Sequence, residues 1–201
     1  MGIQGSNFQG DVGKLERMFG SRIFEQLRGK TVLDFGCGGG ENVLELARKG
    51  CARVIGLEIQ DEYIEKATKA AAKAGLSERC AFARQWDEPV DVVVTTDAFE
   101  HFEDPGMILG LMRKLLKPGG YVLAEFGPTW YHPYGGHLFS VFPWAHLVFT
   151  EASLIRWRSG FKTDGARRFG EVAGGLNQMT IGRWEKLVAG AGFEFKSYEL
   201  V

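Results

Sequence analysis

An acid closing an apolar run, four glycines among the five positions 36 to 40, and a second acid at the end of the next apolar run form the chain's clearest chemical pattern. They lie in "VLDFGCGGGENVLELARKG" (residues 32–50) and "RVIGLE" (residues 53–58). Glycine has no Cβ and tolerates positive φ, so such a loop lets backbone approach a ligand closely. Glu58 stands twenty residues after Gly38, where an acid can accept hydrogen bonds from both ribose hydroxyls. Loop and acid together indicate an adenosine-containing ligand. Asp34 separates two classes of such ligands. An acid two residues before the first glycine would repel a pyrophosphate seated at the following helix N-terminus, and it suits a ligand that carries an amino group and a sulfonium. Glu41 occupies the position where the third glycine of a G-x-G-x-x-G dinucleotide loop would fall, adding a second negative charge there.

The elements that must position these residues follow from periodicity. "TVLDF" (31–35), "RVIGLE" (53–58), "CAFA" (80–83), "VDVVVTT" (90–96) and "YVLAEF" (121–126) read as strands. Between them, 41–49, 61–74 and the stretch opened by Asp104 and Pro105 read as helices, the first two stopped by Gly50 and Gly75. "KPGG" (117–120) reads as a turn, and residues 11–28 as a helix broken near Gly20. Strands alternating with long helices predict an α/β fold, a doubly wound, mostly parallel sheet with helices on both faces and ligands over the carboxyl ends of its strands. The alternation stops at residue 127, where an aromatic- and Gly-rich insertion runs to 179 with one short helix near 150–158. A Thr180-capped helix and "FEFKSYELV" (193–201), read as a sixth strand, follow.

At 201 residues and 45% apolar composition the chain is long enough for one core and is read as a single domain, 1–201. A net charge of -1 supplies no strong field for nucleic acid or anionic lipid, and neither is expected as a partner. The N-terminus lacks an apolar signal core and no stretch has the length of a membrane span, so a cytoplasmic location is expected. Cys37, Cys51 and Cys80 lack metal-ligand spacing and read as reduced thiols.

Taken together, "VLDFGCGGG", the acid of "VIGLEIQ", "VDVVVTTDAFEHFEDP" and "LLKPGGYVLAEF" resemble a class I S-adenosylmethionine-dependent methyltransferase of the small-molecule type, over about residues 28–126 and again from 180. The resemblance implies a Rossmann-like sheet. It also implies that Asp34, Gly36, Cys37 and Gly38 cradle the methionine end of S-adenosylmethionine and that Glu58 holds the ribose. Ile59 would lie against the adenine. Asp87 would meet the adenine amino group, with Trp86 as the alternative at that place, and Thr96 and Asp97 would line the cofactor beside its methyl group. Domains of this type close with a β-hairpin whose last strand runs antiparallel between the fifth and sixth. No residues after Val201 supply it, so either the chain is cut short or a piece of the insertion, such as "ARRFGEVAG", fills part of that gap.

Methyl transfer from a sulfonium is an in-line displacement that rests on placing the nucleophile and keeping water out. "PTWYHPYGGHLFSVFPWAHLVF" (128–149) holds seven aromatics and three of the four histidines and reads as the cap over a small-molecule substrate. Trp130, Tyr131, Tyr134 and Trp144 join a flat face to a polar handle and are its wall candidates, with His132 among them. Phe139, Phe142 and Phe149 read equally as wall or as a secondary core. Spacing among His132, His137 and His146 matches no common zinc pattern, so no metal is expected. If the acceptor is a hydroxyl, a base must take its proton. His101, just past the fourth strand, and His137, in "YGGHLF", are the candidates, and Glu100 either orients His101 or starts a turn. Asn177 in "GGLNQMT" reads as a substrate contact or as a turn residue. Methyl transfer to a hydroxyl oxygen leads; an NAD-dependent oxidoreductase and a non-catalytic S-adenosylmethionine-binding partner stand as alternatives.

Overall fold

A computed structural model describes residues 13–139, 142–162, 164–172 and 175–199, and the chain falls into two compact units, Met1–Gln85 and Trp86–Val201.

In the first unit two short helices, α1 (Lys14–Phe19) and α2 (Ile23–Leu27), are separated at Gly20, whose φ of 77° stops the first. They bury Leu15, Ile23, Phe24 and Leu27. Strand β1 (Thr31–Phe35), helix α3 (Glu41–Arg48), strand β2 (Arg53–Leu57), helix α4 (Asp61–Lys73) and strand β3 (Cys80–Ala83) then alternate as predicted. β1 pairs in parallel with β2 from Thr31↔Arg53 to Phe35↔Leu57, and β2 with β3 from Val54↔Cys80 to Leu57↔Ala83. Val32, Leu33, Val54 and Ile55 are fully buried, the signature of parallel strands covered on both faces. α4 turns only Ala67 and Ala71 fully inward, and these small side chains let it lie close to the strands.

The second unit opens with strand β4 (Val90–Thr96), nearly all buried, and helix α5 (Pro105–Leu115), whose Asp104 cap accepts the Met107 N–H at 2.9 Å. Strand β5 spans Leu116–Glu125, longer than predicted. Leu116 pairs with Val90 and Tyr121 with Val92, so the "KPGG" turn sits inside the strand as a bulge between two paired segments, with Gly119 at φ 77°. The five strands stand in the order β3-β2-β1-β4-β5, which makes the α/β parallel sheet expected of the alternation.

The insertion builds its own small core from Phe139, Ala145, Leu154, Phe169 and Leu176, with Trp130, Ile155 and Val172 packed against it. Short helix α6 (Ala145–Val148) and helix α7 (Glu151–Arg158), capped by Thr150, frame that core. Arg158 is buried beneath them, bonded bidentately to Asp164 at 2.6 Å and 2.6 Å. Helix α8 (Ile181–Gly190) has the expected Thr180 cap, and Trp184 lies edge-on to Phe99 and Phe126 at 4.6 and 4.9 Å between ring centres.

Two expectations fail. Residues 193–199 form no strand: the rings of Phe195 and Tyr198 stack at 5.1 Å, and residues three apart on a strand would point to opposite faces. Residues 200 and 201 of that predicted strand lie outside the described residues. "ARRFGEVAG" supplies no closing strand either, because Phe169–Glu171 is a 3₁₀ turn that drives Phe169 into the insertion's core; residues 173 and 174 lie outside the described residues. Among the described residues no helix is long and apolar enough to cross a membrane.

Candidate functional site

The first unit assembles the glycine loop and both acids. Gly36 N–H and Cys37 N–H both donate to the Leu57 carbonyl at 2.9 Å, clipping the loop to the end of β2. Glu58 continues that attachment: one carboxylate oxygen accepts the Gly38 N–H at 3.1 Å, and the other accepts Ile59 and Gln60 N–H at 2.7 and 3.0 Å. A carboxylate offers about four acceptor directions, so ribose hydroxyls would share or displace one of these bonds. Gly40, at φ 83°, ends the loop as the N-cap of α3, and a Cβ there would fall 2.8 Å from Ala67 Cβ and 2.9 Å from the Phe82 ring. The loop is therefore pressed against α4 and β3 at its far end, while Gly38 has open space where a side chain would be.

Asp34, 1% exposed at the penultimate position of β1, has one oxygen with no hydrogen-bond partner among the described residues. Burial raises its pKa to about 7, with Glu41 adding to the effect and Lys14 and the Asn42 side chain opposing it. A buried carboxylate with an unmatched oxygen fits a cationic amino group, and this observation makes the site suitable for the methionine end of S-adenosylmethionine. Cys37 is buried beside it, its thiol pushed far up by burial and then by Asp34 and Glu58, which leaves it an inert packing group. Ile59, adjacent to Glu58, is 76% exposed and presents a bare apolar face.

In the second unit, Thr96 is buried at the end of β4, and Asp97 follows at φ 50° with its N–H donated to the Glu125 carbonyl at 3.0 Å. Trp86 is half-buried and Asp87 exposed. Beyond Asp97 the chain turns through Phe99 and Glu100, both buried, to an exposed His101. The structure brings His101 and His137 together, ring centres 5.7 Å apart, with Glu100 beside them; one donor atom from each of the three lies within 4.8 Å of the others. Glu100 accepts the Gly127 N–H at 3.4 Å with one oxygen, and its other oxygen is buried with no hydrogen-bond partner among the described residues; burial foremost raises its pKa. His137 has its pKa lowered by burial and then by the neighbouring His101.

The remaining candidates are less convergent. Trp130 packs against His146 and Phe169 in the insertion's core, at 4.6 and 5.5 Å between ring centres. Tyr131, Tyr134 and Trp144 are 67%, 52% and 49% exposed, and His132 is exposed and accepts the Tyr134 N–H. Phe139 is core; Phe142 and Phe149 are exposed and meet edge-on. Asn177 binds protein: its amide donates to the Phe99 and Phe102 carbonyls at 2.6 and 2.8 Å and its backbone N–H to the Glu100 carbonyl, so it clamps the turn that carries Glu100 and His101. Sequence reasoning weighed Glu100 as a partner of His101 from their adjacency in "FEHFEDP" and named His137 separately; it missed that His137 joins the two.

A sequence profile described as a methyltransferase domain matches residues 13–197. The chain is 43% identical over 102 residues to a "Ubiquinone biosynthesis O-methyltransferase" of Caulobacter vibrioides, covering 48% of this chain and 40% of that one. A protein of the same name from Hydrogenovibrio crunogenus is 30% identical over 144 residues, covering 66% and 58%. The chain thus spans about half the length of the curated relatives it matches. Among solved structures, a methyltransferase from Thiobacillus denitrificans in complex with S-adenosyl-L-homocysteine is 25% identical over 52% of this chain and 46% of its own, with a TM-score of 0.44. With a glycine loop flanked by a buried acid and by Glu58, and a family profile that spans nearly all of its length, this chain belongs to the S-adenosylmethionine-dependent methyltransferases.

Proposed function

We propose that the chain, acting as one domain with 127–179 as its acceptor-binding insertion, methylates a hydroxyl oxygen of a small or medium-sized organic molecule. The observation that carries the choice of oxygen is the meeting of His101 and His137 with buried Glu100, a set suited to removing a hydroxyl's proton, whereas a thioether has no proton to lose and a neutral amine attacks with its protons in place. Relatives named for O-methylation support it. S-adenosylmethionine, when bound, supplies an electrophilic methyl group on a sulfonium.

The chain's own residues do the rest. Asp34 binds the amino group, Glu58 the ribose diol, and Ile59 offers its exposed face to the adenine, with Asp87 or Trp86 at the ring edge. Thr96 and Asp97 position the reacting end. His101 and His137 take the acceptor's proton, held in place by Glu100 and by Asn177 behind it. Tyr131, Tyr134, Trp144 and His132, exposed on the insertion, are the groups that an aromatic acceptor would cover, and Trp130 supports them from the core below. The acids flanking the loop disfavour a diphosphate, so a nicotinamide dinucleotide is not the cofactor proposed.

A panel of phenols, aliphatic alcohols, carboxylic acids and amines, read as S-adenosylhomocysteine release, tests the reading. Turnover confined to hydroxyl acceptors and lost in a His101→Ala, His137→Ala double variant is expected. Turnover on amines alone would replace the oxygen assignment, and S-adenosylhomocysteine binding without turnover on any acceptor would favour the non-catalytic partner.

A further inference from the structure

We infer that Glu100, His101 and His137 form a binding site for a divalent first-row transition metal of zinc's class, placed to bind the acceptor hydroxyl. The proposed O-methylation assigns His101 and His137 to the acceptor's proton as bases; with a metal bound they would instead hold the ion that acidifies the hydroxyl, so the site's role rests on that reading, though its existence does not.

Three observations carry it. The first is proximity: a carboxylate oxygen and one nitrogen from each imidazole lie within 4.8 Å of one another. Donors about 2.1 Å from a tetrahedral ion stand about 3.4 Å apart, so a small side-chain adjustment completes the set. The second is unmatched donor capacity. One Glu100 oxygen and His137 Nε2 are buried with no hydrogen-bond partner among the described residues, and Glu100 is only 3% exposed. Buried polar atoms without partners cost stability, and a cation would satisfy both at once. The third is the outer shell. His101 Nδ1 lies 2.8 Å from the Gly175 carbonyl, which leaves Nε2 as the free acceptor when Nδ1 carries the proton. The turn carrying the first two ligands is itself tied down, by Asn177 to the Phe99 and Phe102 carbonyls.

Two nitrogens and one carboxylate oxygen select zinc, cobalt or iron(II) over magnesium and calcium, which take oxygen ligands. Three protein ligands leave a position open, and exposed His101 puts that position toward solvent, where an acceptor hydroxyl can replace water. A hydroxyl on such an ion loses its proton to solvent water near neutral pH, leaving an oxygen nucleophile. Spacing among His132, His137 and His146 gave no hint of this set, because two of its members lie far upstream, at the end of β4.

The test uses the full chain stripped with chelator and titrated with Co²⁺, whose visible absorption reports nitrogen and oxygen ligation, and with Zn²⁺ by calorimetry. One ion per chain is expected, bound more than about tenfold more weakly in His101→Ala, His137→Ala and Glu100→Gln, and unchanged in His132→Ala. Circular dichroism of each variant checks folding, and His101→Ala, at an exposed position, remains informative if Glu100→Gln unfolds. Absence of stoichiometric binding, or binding that survives the His101 and His137 substitutions, would overturn the site. Turnover unchanged by chelation would overturn its role. A metal bound as expected in a protein that methylates no hydroxyl would keep the site and remove the O-methylation reading instead.

Discussion

Asp34 ties ligand choice to pH. In the unfolded chain an aspartate releases its proton near 3.8, and in the folded protein burial holds it to about 7. Between those values the native state binds the extra proton, so this residue's contribution to stability is full below about pH 4 and is lost as pH rises through 7, roughly 4 kcal/mol in all. Denaturant titrations at pH 5 and 8 should show this decline, and Asp34→Asn should flatten it; a decline of the same size in the variant would show that other groups cause it. A cationic ligand needs the ionised form, so calorimetric affinity for S-adenosylhomocysteine should rise with pH up to about 7 and then level off, releasing a proton on binding. Asn177 makes a different prediction. Removing its amide deletes two hydrogen bonds, to the Phe99 and Phe102 carbonyls, and Asn177→Ala should lower stability by about 2 kcal/mol in the same titration. A loss below the error of that measurement would mean water replaces the clamp.

Among the elements, the glycine loop separates folding from binding. An alanine at Gly40 adds a Cβ in contact range of Ala67 and Phe82 at a φ of 83°, so Gly40→Ala should destabilise by about 3 kcal/mol through both strain and overpacking. Gly38→Ala meets open space at φ 50°, so it should cost only about 1 kcal/mol of stability while weakening S-adenosylhomocysteine, because its Cβ points where the ligand would approach. Equal stability losses in the two variants, measured by denaturation, would contradict that division. The same contrast explains what could be read from sequence. β1 and β4 were legible to the residue because buried parallel strands are near-continuous apolar runs, the half-buried β3 because "CAFA" is a short apolar run between polar residues, and α5 and α8 because Asp104 and Thr180 are local caps. "KPGG" was read as a turn although its flanks, Leu116 and Tyr121, both pair with β4: a bulge depends on the partner strand's register, which no local pattern encodes. "FEFKSYELV" has an alternation that favours a strand, yet Phe195 stacks on Tyr198 and Lys196 sits over Tyr121, contacts decided by tertiary packing. At the site, acids and glycines were legible because they are close in sequence; the Glu100, His101 and His137 cluster was not, since a loop far down the chain supplies its third member.

For the molecule as a whole, the two units carry different parts of the proposed chemistry. The first holds the loop, Asp34 and Glu58; the second holds the Glu100, His101 and His137 cluster and the aromatic insertion. Ligand binding to the native state alone raises stability by about 2.7 kcal/mol at a hundred times its dissociation constant. For a chain of this size that is a rise in Tm of about 5 to 10 °C. S-adenosylhomocysteine should produce that rise and NAD none, since a diphosphate at the loop would have to sit beside Asp34 and Glu41. The variants then sort by unit. Glu58→Ala should shrink the shift by removing the ribose acceptor, whereas His101→Ala should keep the full shift and lose turnover, because binding the cofactor and activating the acceptor are separate tasks. Thermal scans of the wild type and both variants, with each nucleotide in turn, read all of this from one observable. A shift with NAD equal to that with S-adenosylhomocysteine would refute the charge argument, and a shift lost in His101→Ala would place that imidazole at the cofactor rather than at the acceptor.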